Sequence, residues 1–212
     1  MITYRAKQRV VEFKSDFKSA LKSIDENESK SQRAGWNTYI NEKDKLPSTL
    51  QSHFVAFSFE YPSTFEVQPQ QQSNFVKIEK YAAAGKGNTA ENFAVGYIWF
   101  DPPNAQNDAL YDKLLDDLQA DFAKAFHNYR ELKREPVTVD GVNGRASVFQ
   151  GDFNDAAKTA LYGKVIMLHP PGKRNGVALV MLGTSLSRDV KSAEDLGTKG
   201  DTADIVRSFR FL

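Results

Sequence analysis

The spacing of apolar residues predicts an amphipathic helix at the start of the chain. Val10, Phe13, Phe17, Leu21 and Ile24 recur at intervals of three and four residues, which places them in one stripe along a helix. A stripe this narrow also suits a coiled-coil seam. The sequence therefore leaves open whether the helix packs on its own domain or on a partner.

The segment from residue 29 to residue 52, SKSQRAGWNTYINEKDKLPSTLQS, is polar and shows no sustained period. This pattern is typical of a linker or a wrapped loop. Trp36 and Tyr39 are the two candidate binding residues within it, because an aromatic side chain in a polar segment either docks on its own domain or binds a partner. We favour docking, and we divide the chain into residues 1–52 (helix and linker) and 53–212 (an α+β domain).

The next part of the chain has the period of strands. FSFEYPSTFEV, residues 57–67, alternates apolar and polar side chains up to Pro62. Proline has no backbone donor, so strand pairing should stop there and Ser63-Thr64 should form the corner. FAVGYIWFD, residues 93–101, is apolar at both sets of alternating positions, which predicts a central strand covered on both faces.

A second helix is predicted over residues 107–126. Its apolar residues recur every fourth position (Leu110, Leu114, Leu118, Phe122 and Phe126), so we expect it to cover one face of the sheet. Aspartates fill its first turns, where they complement the helix dipole. We expect no metal there.

Strands are predicted again at 131–139, 145–153, 159–168 and 176–184, with a tight turn of the Asp-Gly or Asn-Gly kind within 139–144. A polar loop follows, and Thr202 is expected to cap a short helix that runs to Phe209. Strands, a long helix, more strands and a short helix indicate an α+β fold with an antiparallel sheet, not a βαβ array.

Composition narrows the range of functions. The 28 basic residues nearly balance the 27 acidic ones, which argues against a dedicated nucleic-acid binder. The chain has no cysteine, and this excludes disulfides, zinc ribbons and thiol nucleophiles. No apolar run is long enough to cross a membrane. The helical pattern follows Met1 almost directly, as it would if a signal or membrane anchor had been removed. The first fifty residues have a small basic excess, which favours a position of this segment near anionic lipid.

Motifs for catalysis are missing. The sequence has no GxGxxG, no phosphate loop and no GxSxG. His53, His127 and His169 are too far apart in sequence for a metal motif. We therefore expect a protein that is not an enzyme and has no cofactor and no metal. Trp99, Asp101 and His169 come at the ends of predicted strands and are candidates for binding. For Trp99 we favour a core position, and for His169 a surface or structural role.

Five parts of the sequence together resemble the PsbP-like superfamily, which includes DcrB-like lipoproteins. They are FSFEYPSTFEV, WFDPP, the acidic helix, VTVDGVNGRASVFQGDF and ADIVRSFRF. The resemblance covers residues 54–212 and includes no catalytic motif. It implies an antiparallel sheet flanked by helices in an α-β-α sandwich. It also implies accessory or binding roles, often on the outer side of a bacterial or thylakoid membrane.

Three hypotheses follow. The first is a non-enzymatic accessory or binding domain that is exported, tethered to a membrane and bound to a protein partner such as a membrane complex, in the periplasm or cell envelope. The second is a cytosolic adaptor that binds a protein through its sheet face or its N-terminal helix. The third and weakest is an enzyme that acts on a small polar substrate near Trp99, Asp101 and His169.

Overall fold

The computed structural model describes residues 28–30, 33–68, 75–83, 88–99, 108–153 and 159–212. The helix predicted over residues 10–24 lies outside these ranges, as does Asp101. Among the described helices, none has the length and apolar character needed to span a membrane.

The described strands form two antiparallel sheets. The larger has the order β4-β5-β6-β10-β9-β8-β7 and the smaller has the order β1-β2-β3-β11. In chain order the elements are β1 (Glu28–Lys30), β2 (Trp36–Ile40), β3 (Phe57–Pro62), β4 (Glu66–Gln68), β5 (Phe75–Tyr81), β6 (Thr89–Trp99), α1 (Asp108–Ala125), β7 (His127–Val139), β8 (Val142–Asp152), β9 (Ala160–Leu168), β10 (Asn175–Thr184), α2 (Gly200–Ser208) and β11 (Arg210–Phe211).

The larger sheet is buried on both faces. In β10, Val177, Leu179 and Met181 belong to the core shared with the smaller sheet and α2, whereas Ala178 and Val180 belong to the core under α1. Successive side chains of a strand point to opposite faces, so a strand covered on both faces is apolar throughout. β6 lies between β5 and β10 and is covered on both faces in the same way. This burial explains the continuous apolar pattern that predicted a central strand at residues 93–101.

Helix α1 covers the outer face of the larger sheet through Tyr111, Leu115, Leu118 and Phe122, all of which are buried. A fully buried side chain of this kind contributes roughly 1.5–3 kcal/mol. On the other face lie the smaller sheet and α2, whose Ile205 is fully buried. The fold is therefore α+β, with antiparallel sheets and a helix on each side, as the sequence predicted.

The prediction of a loop or linker between residues 29 and 52 is wrong for residues 29–30, which are part of β1, and for residues 36–40, which are β2. Strand β2 pairs with β1 and with β3, with Tyr39 opposite Phe59. The two rings stack with centroids 5.2 Å apart. Local sequence gives little strand signal here, but the edge of β3 supplies the backbone partners. The division of the chain at residue 52 stays a prediction.

The corner at FSFEYPSTFEV is confirmed, and it has a second role. β3 ends at Pro62 and β4 begins at Glu66, but the two strands belong to different sheets. The amide of Phe65 donates to the carbonyl of Pro62 at 2.9 Å, and the Phe65 side chain is buried. The turn therefore transfers the chain from the smaller sheet to the larger one.

Thr202 does not cap the last helix as predicted, because α2 begins at Gly200. The Thr202 hydroxyl instead accepts a hydrogen bond from the amide of Gly197 at 3.1 Å, and the side chain is fully buried. Gly200 has a φ of 64°, which favours glycine. The N-cap is Lys199, so the helix begins three residues earlier than the apolar pattern suggests.

Candidate functional site

A pair of stacked rings marks one end of the larger sheet. Trp99 is the last residue of β6 and pairs with Asn175, the first residue of β10. The imidazole of His53 lies on the Trp99 indole, with ring centroids 3.8 Å apart and ring planes 20° apart. Both residues are partly exposed, so the pair reaches the protein surface.

Asn175 holds this pair in place. Its side-chain amide donates to the carbonyl oxygens of Ser52, at 3.1 Å, and Phe54, at 3.4 Å. These bonds fix the short 3-10 turn Gln51–His53 to the start of β10. Because Asn175 binds the backbone just before and just after His53, the His53 ring is held over the indole.

The hairpin between β9 and β10 completes this end of the sheet. Pro171, Lys173 and Arg174 are exposed on it. We use the name rim surface for the set His53, Trp99, Pro171, Lys173 and Arg174. Two of its members, Trp99 and Arg174, are of residue types that are enriched at protein interfaces.

His169 lies beside the rim surface but is covered. It follows β9 directly and is 1% exposed. Burial lowers the pKa of His169, although a hydrogen bond to the Arg174 backbone works in the opposite direction. Burial, and then the charge of Arg174, lowers the pKa of His53 as well. Both shifts favour the neutral form of the imidazole.

The structure brings together only some of the residues singled out by sequence. Trp99 and His169 lie at the same end of the larger sheet, whereas Tyr39 is part of the core. Trp36 is half-buried under the Arg33 guanidinium, 3.8 Å from its ring centroid. Trp36 is at one end of β2, about 13 Å along the strand from Ile40 at the other end.

Sequence analysis missed a charged cluster at the opposite end of β6. The ammonium of Lys80 contacts three carboxylates: Asp201 at 2.8 Å, Glu91 at 3.3 Å and Asp189 at 3.3 Å. Glu91 is fully buried and accepts a further hydrogen bond from the Ser187 hydroxyl at 2.8 Å. Burial alone would lower the pKa of Lys80, but the hydrogen bond to Asp201 and the nearby carboxylates outweigh it and raise that pKa.

The sequence contains one indication of this charged cluster, the position of Glu91 in β6. Glu91 occupies the same alternating positions of β6 as Phe93, Val95 and Tyr97, all of which point into the core. A carboxylate in such a series needs a buried partner. Sequence spacing did not identify that partner, because Lys80 is on the neighbouring strand and Asp189 and Asp201 come about a hundred residues later.

A cleft of about 420 Å³ lies against this cluster. We call it the Lys80 cleft. It opens between the ends of β5 and β6 and the loop that follows β10. Its lining is Lys80, Tyr81, Ala82, Ala83, Ala90, Leu186, Arg188 and Asp189.

The aspartates at the start of α1 pair with arginines of the sheet. Arg145 Nε donates to Asp112 at 3.0 Å, and Arg134 contacts Asp116 at 2.6 Å and Glu131 at 2.5 Å. These ion pairs join α1 to β7 and β8. Over the described ranges, no three His, Asp or Glu side chains converge as metal ligands.

Comparison with known proteins gives matches in structure but not in sequence. No protein-family model matches the chain, and no curated protein matches it in sequence. Nineteen chains of solved structures match it, and three of them have TM-scores from 0.45 to 0.49.

The Ran-binding protein Mog1p from Saccharomyces cerevisiae is 10% identical, over 73% of this chain and 89% of Mog1p, with a TM-score of 0.49. Cyanobacterial PsbP from Synechocystis is 14% identical, over 91% of this chain and 99% of PsbP, with a TM-score of 0.47. A protein from Bacteroides thetaiotaomicron is 8% identical over 82% of this chain, with a TM-score of 0.45.

The present chain spans only 48% of the Bacteroides protein. One of the three is a PsbP, the protein whose superfamily the sequence segments resemble. At these identities and TM-scores the function has to be inferred from residues of this chain.

Proposed function

We propose that this chain is a non-enzymatic accessory domain that binds a protein partner through the rim surface, and that it is exported and tethered to a membrane. The observation that carries the proposal is the partly exposed His53–Trp99 stack, with centroids 3.8 Å apart. Export and tethering are supported by the resemblance of residues 54–212 to the PsbP-like superfamily.

The stack has the properties of an interface anchor. Tryptophan is enriched among the residues that contribute most to binding energy. An anchor that is already rigid loses little conformational entropy when a partner binds. The two hydrogen bonds from Asn175 to the backbone around His53 provide this rigidity before any partner is present.

The rim surface suits binding better than acid–base catalysis. His169, the candidate for proton transfer, is 1% exposed and therefore has almost no surface open to a substrate. Trp99 and His53 offer ring faces at the surface instead. A partner's apolar side chain that covers those faces gains burial without any chemical step.

Site-specific photo-crosslinking tests partner binding. We would place benzoyl-phenylalanine at Lys173 on the rim surface and, as a control, at Lys113 on the exposed side of α1. In cells of the native organism, the Lys173 probe should give one protein adduct that the Lys113 probe does not give. Adding Trp99→Ala should abolish this adduct. Identical adducts from both positions, or none from Lys173, would overturn the proposal.

Cell fractionation tests the location. The native protein should be found with membranes and should be digested by protease added outside the cytoplasmic membrane. A protein that stays in the cytosol and still gives the Lys173 adduct would instead support the adaptor alternative.

A further inference from the structure

We propose that the β7 edge of the larger sheet binds a small oxyanion, a phosphate or carboxylate group, between Lys133 of β7 and Lys164 of β9. This inference is independent of the rim surface. It rests on the reach of the Lys164 side chain across the sheet, on its burial and on the charges around it.

The Lys164 side chain crosses one strand to reach the edge of the sheet. Lys164 is opposite Val148 of β8, and Val148 is opposite Lys133 of β7, which is the last strand in the sheet order. Glu135 also belongs to β7, yet its Oε1 lies 3.7 Å from Lys164 Nζ. Because β7 and β9 are roughly 10 Å apart, the Lys164 side chain must span β8 and bring its ammonium to the edge.

This ammonium is buried and shares its carboxylate with a second cation. Lys164 is 7% exposed, and a lysine is rarely so buried unless it is paired. Lys133 Nζ donates to Glu135 Oε2 at 3.1 Å, closer than the 3.7 Å contact from Lys164. The Lys133 hydrogen bond is also the main cause that lowers the pKa of Glu135. One carboxylate therefore serves two ammonium groups, and one positive charge is left over.

The uneven pairing weakens the charged form of Lys164. Burial lowers the pKa of Lys164, the Glu135 charge opposes this effect, and the Lys133 charge adds to it. An oxyanion beside Lys164 Nζ would supply the missing negative charge and favour the ammonium. It would also form charge-assisted hydrogen bonds with both lysines.

The neighbouring side chains on this face keep the site positive. Arg130 donates from Nε, at 3.0 Å, and from Nη2, at 2.6 Å, to the side-chain oxygen of Gln150 on β8. Gln150 is neutral, so it orients the guanidinium without cancelling its charge. Among the described residues of this face of β7, β8 and β9, three cations outnumber two carboxylates: Arg130, Lys133 and Lys164 against Glu135 and Asp152.

The segments next to this face add no net charge. The 3-10 turn Ala193–Asp195 packs against β8 and β9. Its Asp195 pairs with Lys199 at 2.7 Å, and its exposed Glu194 is offset by the exposed Lys191. Residues 154–158, which follow β8 and lie outside the described ranges, contain one aspartate and one lysine. The excess of positive charge at the edge is therefore kept.

The edge is open to a small molecule but not to an added strand. The side chains of Lys133 and Glu135 are 45% and 37% exposed, so a small anion can approach between them. The register of β7 shifts between Glu131 and Lys133, and Pro136 has no backbone donor. A bulge and a proline both oppose the pairing of an edge with another strand.

Titration with inorganic phosphate and with acetate tests the site. Each anion would be added to the full chain at neutral pH, with the ionic strength held constant by chloride, while the amide NMR signals are followed. The Lys133 and Val148 signals should shift and saturate. Phosphate should bind more tightly than acetate because it carries more charge, and it should raise the pKa of Lys164, measured on the lysine side-chain signals.

Variants with opposite expected effects locate the interaction. Lys164→Met removes the buried charge and should raise the dissociation constant of phosphate roughly tenfold, the factor expected for one charge-assisted hydrogen bond. Glu135→Gln removes the competing carboxylate and should lower that constant roughly fivefold. Lys113→Gln and Asp121→Asn make the same changes of charge on α1, at exposed positions, and should leave the constant unchanged.

Three results would overturn the proposal: weaker binding of phosphate in Glu135→Gln than in the parent, equal dissociation constants in Lys164→Met and Lys113→Gln, or no saturable shift with either anion. The last would mean that Glu135 alone balances both lysines. Should Lys164→Met fail to fold, Lys133→Gln replaces it, because Lys133 is exposed and its loss should also weaken phosphate binding.

Discussion

The imidazole of His53 stacks on the indole of Trp99 and shares one end of the larger sheet with the exposed Arg174 guanidinium. Burial against the indole disfavours the charged form of the imidazole, and the arginine charge adds to this effect. The neutral form of His53 is therefore favoured in the folded protein, which links the rim surface to pH.

We predict that the protein loses stability as pH falls below the ordinary histidine pKa of 6.5. The pKa values of His53 and His169 are lower in the folded state. The unfolded chain therefore binds more protons in the range just below 6.5, and acid favours unfolding. Above that range both states are neutral and the effect disappears.

The check is the urea midpoint measured as a function of pH. His53→Gln should flatten part of the decrease, while His127→Gln, which removes an exposed imidazole at the start of β7, should leave it in place. A midpoint that rises on acidification over this range would contradict the lowered pKa values.

A second prediction concerns Lys80 and Glu91. In the parent protein, Lys80 Nζ lies 3.3 Å from Glu91 Oε1. The substitution Lys80→Met removes this cation and leaves the fully buried Glu91 carboxylate without it. Removing one partner of a buried pair costs roughly 3–5 kcal/mol. Urea denaturation should show a loss of this size in the free energy of unfolding.

The control for this loss is the exposed pair Lys133–Glu135, where Lys133→Met should cost at most about 0.5 kcal/mol. The double variant Lys80→Met/Glu91→Leu should be more stable than Lys80→Met alone, because no buried charge is left unpaired. If Lys80→Met proves as mild as Lys133→Met, the cluster makes no contribution to stability beyond that of a surface pair.

The sequence allowed most of the fold to be predicted, because most elements have a strong period. The stripe of α1 and the alternation of β3 come from one buried face each, and the continuous apolar run of β6 comes from two. β2 was missed since its residues carry only a weak pattern and its pairing with β3 decides its structure. Such long-range pairing leaves no local trace.

The candidate sites were predicted less well, for a related reason. Trp99 and His169 could be placed at strand ends from the sequence, but the partner of Trp99 is His53, which directly follows the segment interpreted as a linker. The Lys80 cleft combines a strand end with the loop after β10. Only the three-dimensional structure brings these segments together.

A third prediction concerns the contact between Gly163 and Phe149, which are opposite each other on β9 and β8. The Phe149 ring occupies the space where a Cβ on Gly163 would lie, and it packs on Phe122 of α1 with centroids 4.8 Å apart. Gly163→Ala should therefore push the ring out of its position and cost roughly 1–3 kcal/mol.

Thermal or urea unfolding measures this cost. Gly172→Ala is the control, because a Cβ there meets open space and only its φ of 72° opposes the change, at roughly 1 kcal/mol. In the Gly163→Ala protein, the NMR signals of the Phe122 ring should also move, which backbone strain alone would not cause. Unchanged Phe122 signals would mean that the ring does not depend on the glycine.

The fourth prediction concerns Asp195, which organises the loop between β10 and α2. Its carboxylate accepts hydrogen bonds from the amides of Lys191, at 2.9 Å, and Ser192, at 3.1 Å, and contacts Lys199 Nζ at 2.7 Å. The Lys199 hydrogen bond, followed by the Lys191 amide, lowers the pKa of Asp195 from 3.8 to about 2.

Because the folded pKa of Asp195 is depressed, its contribution to stability is present above pH 3.8 and is lost as pH falls towards 2. Asp195→Asn should remove that part of the acid dependence and speed hydrogen exchange at the Lys191 and Ser192 amides, since a neutral amide oxygen is the weaker acceptor. Asp121→Asn, in an exposed pair with Lys124, should change neither property.

Lys199→Gln separates the two causes: it should raise the pKa of Asp195 and yet keep the two amides protected. If exchange at those amides accelerates as much in Lys199→Gln as in Asp195→Asn, the ion pair and not the carboxylate–amide geometry holds the loop.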